Sequence, residues 1–168
     1  MFRSTLCSIV ICLMGLSAQA AEEKPSGQRS ALLLGNAKYD GFTLAGVGKS
    51  LDEVERALQE RGFHVERRED LKKDQMKEAV SEFASSVPTA GVAVVYYVGL
   101  GAHVERLGKT YNLLRPVGEK MESDNDYRSN GLNVAEDLSD VLQERGGGGV
   151  NLVFLDACWD SPIRPEKG

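Results

Sequence analysis

The chain is expected to fold as an α/β domain with a mostly parallel sheet covered by helices on both faces. Three observations predict this. Short apolar runs at residues 30–34, 91–98 and 150–155 alternate with amphipathic stretches that repeat every three to four residues. The run at 91–98 is apolar without alternation, as a strand buried on both faces requires. Glycines fall at the ends of these segments, where helices stop and strands turn.

The N-terminus reads as a separate segment. Arg3 precedes an apolar run at residues 6–16, and Ala18-Gln19-Ala20 has the small-x-small form of a leader-peptidase site. The expectation is a signal peptide at residues 1–20, a linker at 21–28, and one domain at 29–168. The mature chain is then secreted or periplasmic, with no stable membrane span after cleavage. Ile11 before Cys12 argues against a lipidated cysteine there. Cleavage also removes Cys7 and Cys12, which leaves Cys158 alone and excludes an internal disulfide.

The elements follow in order. Residues 30–34 form a buried strand ending at Gly35, and residues 36–48 a glycine-rich loop. Ser50 and Glu53 have the spacing of a capping box, so a helix is expected from Ser50 to Arg61, with Leu51, Val54 and Leu58 inward. Residues 63–66 alternate as a strand, with His64 outward in a structural role. A second helix spans residues 74–87 through Met76, Val80, Phe83 and Val87. The strand at 91–98 ends on the glycine-flanked turn Gly99-Leu100-Gly101. Gly108 then centres a small hairpin of residues 104–106 and 110–114. Residues 119–130 are a polar loop, 133–144 a third helix, and 150–155 a strand closed by Asp156-Ala157-Cys158. Sites in such sheets lie beyond the carboxyl ends of the strands, so residues 99–103 and 156–158 should meet at one edge.

Composition narrows the function. Net charge is −5 with both signs interspersed and no basic stripe, so nucleic acid is not an expected partner. Gly48-Lys49-Ser50 lacks the earlier glycine of a phosphate loop, and Gly99-x-Gly101 lacks the third glycine of a dinucleotide fingerprint. The chain has two histidines, His64 and His103, with no metal-ligand spacing, so no metal site is expected. Cys158 is either a small buried hydrophobe or a nucleophile at the active edge.

At this point the motifs match a family. Ala31-Leu-Leu-Leu-Gly-Asn36 with Tyr39, then Gly62-Phe63-x-Val65, then Tyr96-Tyr97-x-Gly99-x-Gly101, occur in one order. Tyr111-Asn-Leu-Leu-x-Pro116 and Asp156-Ala-Cys158-x-Asp160-x-Pro162 follow. The set resembles the caspase-like cysteine peptidases, nearest their bacterial metacaspase-like or orthocaspase-like branch. The resemblance implies a three-layer sandwich, which this chain would leave incomplete after the fourth main strand, because it stops ten residues after Cys158.

The resemblance also implies a Cys–His dyad that cleaves peptide or protein substrates. Cys158 stands at the nucleophile position. The position of the dyad histidine, between the two glycines, holds Leu100. Gly101 would offer an oxyanion-hole amide. The family's acidic pocket for a basic residue keeps Asp156, while a second acid is replaced by Ser50. No cofactor is implied, and calcium dependence is left open.

The expectation is therefore a degenerate peptidase domain acting as an exported pseudoenzyme or a weak peptidase. The alternative is an active cysteine endopeptidase cleaving after Arg or Lys, with His103 or another group as base. His103 lies three residues past Leu100, about 10 Å in extended chain. A third reading makes Cys158 an intermolecular disulfide anchor.

Overall fold

A computed structural model describes residues 28–88, 90–145 and 149–159. The expected leader, the linker up to residue 27, and the motif end at Asp160 and Pro162 lie outside them. The sheet begins with β1 (Arg29–Gly35), whose run of buried leucines forms its centre. It pairs in parallel with β4 (Phe63–Glu69) on one side and with β5 (Val92–Arg106) on the other. β8 (Val150–Trp159) lies parallel to β5 on the flank away from β1. β6 (Lys109–Leu114) and β7 (Leu132–Asn133) extend the sheet antiparallel from the far end of β5. This is the mixed α/β sheet expected, with parallel strands at its core.

Helices cover the two faces. α1 (Val47–Gln59) packs on one face, where Leu33, Val47, Leu51, Tyr96 and Val98 form a core. α2 (Lys73–Ser86) and α4 (Asp140–Arg145) pack on the other. There Phe83, Met76, Val80 and Leu142 meet Leu32, Leu34, Val95 and Tyr97. Alternation along β1 and β5 sends odd and even positions to opposite cores. A third cluster under the β5–β6 hairpin joins Ala102, Val104, Leu113, Met121 and Tyr127.

Several elements differ from expectation, each for a local reason. Ser50 does not cap α1. The helix starts three residues earlier, at Val47, because Gly46 turns the chain at φ +89° and Val47 buries against the core. Ser50 instead lies in the first turn, its amide bonded to the Gly46 carbonyl at 2.9 Å. The loop at 36–48 contains a short hairpin of β2 (Lys38–Tyr39) and β3 (Phe42–Thr43). The last part of the expected polar loop at 119–130 is α3 (Asp124–Asn130). The Ser123 hydroxyl accepts the Asp126 amide at 3.1 Å, the Asp126 carboxylate accepts the Ser123 amide at 2.9 Å, and Tyr127 buries. The third helix begins as a π-helical turn at Val134–Ser139 before tightening into α4. The outer half of the sheet face near α1 is uncovered: Val150, Leu152 and Phe154 of β8 are 55%, 41% and 53% exposed.

Gly48 occupies a helical position of α1, and a Cβ there would meet no atom within 4 Å. Gly48→Ala is expected to raise unfolding stability by about 0.5–1 kcal/mol in a denaturant titration, since alanine loses less backbone entropy in a helix. A loss of stability would mean that the start of α1 needs glycine for another reason.

Candidate active site

β5 is fifteen residues long and runs through Gly99-Leu100-Gly101 without turning. This corrects the expected strand end. Ladders hold the segment on both flanks: Gly101 is opposite Trp159 of β8 and also opposite Leu114 of β6. β8 likewise continues past residue 155 to Trp159. The chain reverses only at Leu107 and Gly108, both at positive φ.

The two glycines make room for side chains. A Cβ on Gly99 would lie 2.5 Å from the Tyr97 hydroxyl and 2.8 Å from the Tyr39 hydroxyl. A Cβ on Gly101 would lie 2.8 Å from the Trp159 ring. Neither glycine has positive φ.

The continuous strands set Leu100 directly beside Cys158 in the parallel register. The expected meeting of the two segments is therefore found, and it falls within the sheet. Cys158 is exposed and carries a free thiol. Alternation puts it on the α1 face of β8, together with Asp156 and Phe154. Leu100 is half-buried and belongs to none of the three cores.

The main chain at Leu100 is held from both ends. Its amide donates to the Tyr39 hydroxyl at 2.8 Å. Its carbonyl accepts from the Tyr97 hydroxyl at 2.8 Å and from the Arg115 amide at 2.8 Å. The two hydroxyls lie 3.5 Å apart. Burial raises the pKa of both phenols, so both stay protonated. The Arg115 guanidinium lies 5.1 Å above the Tyr39 ring.

His103 is placed elsewhere. Three positions along the strand reverse the face, and its exposed ring stacks on Trp159 at 4.3 Å with 19° between planes. Its Nδ1 meets the Asn112 Oδ1 at 2.6 Å, where the amide oxygen must accept. The structure brings Leu100 to Cys158, and His103 to Trp159 and Asn112. His64 is exposed on β4.

Asp156 is held by Tyr96, whose role in the site the residue pattern does not signal. The Tyr96 hydroxyl donates to Asp156 Oδ2 at 3.0 Å. Burial and then the Asp156 bond push the Tyr96 phenol up to about 12. It is therefore protonated and the donor. Tyr39, Tyr97 and Trp159 were also missed as site residues. Their signal was the pairing of tyrosines with the glycines that accommodate them.

Among the described residues, no three His, Cys, Asp or Glu side chains are grouped to hold a metal ion. Nor is any helix among them long and apolar enough to cross a membrane.

The six-stranded sheet carries helices on both faces, and an exposed cysteine lies near the end of β8, which pairs with β5 alone among the described residues. The caspase domain family matches residues 28–168, so the chain belongs to that family of cysteine peptidases, whose substrates are proteins. No curated protein matches the chain.

Proposed function

We propose that this chain is a degenerate cysteine peptidase domain, exported by its leader-like N-terminus, that keeps a nucleophile and lacks its general base. The observation that carries this reading is the pairing of Leu100 with Cys158. In the dyad reaction, histidine takes the thiol proton as sulfur attacks the scissile carbonyl, then gives it to the leaving amine. A leucine side chain can do neither. An unassisted thiol is mostly protonated at neutral pH, and losing one member of such a unit costs several orders of magnitude.

The rest of the frame supports substrate binding. Cys158 and Gly101 keep the positions that the resemblance assigns to the oxyanion hole, with their main chains paired in the β5–β8 ladder. Asp156 is the acid that the resemblance assigns to a basic side chain, and Tyr96 donates to it. The stacking of His103 on Trp159 weighs against its service as a substitute base. The chain then binds protein or peptide segments with little or no cleavage.

Peptides ending in Arg or Lys before a fluorogenic leaving group test this, with and without calcium. The expected result is no turnover distinguishable from Cys158→Ala. Turnover that Cys158→Ala abolishes would instead establish an active endopeptidase, and a further His103→Ala variant would show whether His103 is its base. A covalent dimer on a non-reducing gel would support the disulfide-anchor reading of Cys158.

A further inference from the structure

We infer that the cavity between α2, β6, α3 and the π-helical turn at Val134–Ser139 receives a dianionic phosphate group, held by Lys73, Arg128 and Asn133. It shares no residue with the candidate active site. The cavity encloses about 360 Å³. Lys73 and Lys77 stand one turn apart on α2, so both face it. Arg128 lines it from α3, Tyr111 from β6, and Asn133, Glu136 and Asp137 from the segment that follows α3.

The acids in this lining already have partners. Asp137 pairs with Lys77 at 2.8 Å and accepts the Asn133 main-chain amide at 2.9 Å. Glu136 lies 3.7 Å from the Lys109 ammonium. Lys73 and Arg128 are left without an acid among the described residues. The Lys73 ammonium donates to the Ser129 carbonyl at 2.7 Å, which leaves it two further N–H groups. The Arg128 guanidinium lies 5.9 Å from the centre of the Tyr111 ring.

Asn133 is the residue that points to a ligand. It is only 9% exposed. Its Oδ1 accepts the Ala135 amide at 3.0 Å and so caps the turn, which fixes the other end of the side chain as the Nδ2 donor. Nδ2 has no hydrogen-bond partner among the described residues. A buried donor without an acceptor costs free energy, and an acceptor carried in by a ligand removes that cost. Guanidinium, ammonium and amide donors together suit an anion rich in acceptors. The two uncompensated charges match a phosphate monoester, which carries about −2 at neutral pH. A carboxylate has one charge and would leave a cation unpaired. Tyr111 gives the cavity an aromatic wall for the organic part of an ester.

Amide NMR titrations of the chain with phenyl phosphate, inorganic phosphate and acetate at low salt test this. Phenyl phosphate is expected to shift the Asn133 and Arg128 resonances saturably, and acetate to bind about tenfold or more weakly. Inorganic phosphate separates the sources of the group: affinity equal to that of phenyl phosphate assigns free phosphate, and weaker binding assigns an ester. Asn133→Asp keeps the cap, since aspartate caps as well as asparagine, but sets a negative charge where the donor was. It and Arg128→Gln are each expected to weaken phenyl phosphate about tenfold or more.

No saturable shift with either phosphate overturns the inference. Undiminished affinity in a folded Asn133→Asp or Arg128→Gln overturns it as well, because the anion then binds scattered surface lysines. Acetate binding as tightly as the phosphates removes the dianion assignment and overturns it too. Where Asn133→Asp does not fold, Arg128→Gln decides alone, since Arg128 is half-buried and makes no ion pair among the described residues.

Discussion

Leu100→His is expected to hydrolyse basic peptide substrates about 10³-fold or more faster than the native chain, the usual scale for restoring one member of a catalytic dyad. On the proposed reading, the missing base is a deficit at one residue. Residue 100 is already level with Cys158 across the β5–β8 ladder. Its amide and carbonyl are held by Tyr39, Tyr97 and Arg115, and none of these contacts involves the side chain. The leucine fills no core, so its removal leaves no cavity in one. An imidazole at that position would start from Cα partners across adjacent strands, within reach of the thiol. Activity should rise as the introduced imidazole loses its proton, around its ordinary pKa of about 6.5. Leu100→His combined with Cys158→Ala should be inert. A folded Leu100→His variant without turnover would mean that the site lacks more than its base.

The second large effect concerns stability. Gly99→Ala is expected to cost about 2–4 kcal/mol, in the upper range for overpacking a core. A methyl at Gly99 would enter the space of two tyrosine hydroxyls at 2.5 and 2.8 Å. Neither ring can retreat easily, since Tyr97 is fully buried and Tyr39 is 5% exposed. Moving either hydroxyl also breaks a bond to the Leu100 main chain. Chemical denaturation of the variant measures the cost. A loss under about 0.5 kcal/mol, the range of an ordinary surface change, would show that the tyrosine pair is free to shift.

Some of this was legible in the residues and some was not. Leucine runs and helical spacing were enough to place the parallel strands, because burial on both faces leaves no other pattern. The nearness of residues 99–103 to residues 156–158 followed from the rule that strand ends share an edge. The strand end itself was misplaced. Two glycines read as a turn, yet here they clear space for Tyr39, Tyr97 and Trp159, which no local rule foresees. Ser50 looked like a cap because its spacing to Glu53 was right. Burial of Val47 and the left-handed Gly46 decided the start of α1 instead. The link from Tyr96 to Asp156 joins residues sixty positions apart and depends on β5–β8 register, which sequence alone does not carry.

The tyrosine clamp on Leu100 has a consequence for how such a domain changes over time. It separates the support of the site from its chemistry. The fold places almost no demand on which side chain stands at residue 100, so selection for folding cannot protect a histidine there once cleavage is no longer needed. Histidine and leucine codons can differ by a single base. A lineage carrying this scaffold can therefore lose peptidase chemistry without passing through an unstable intermediate, and can regain it by the reverse step.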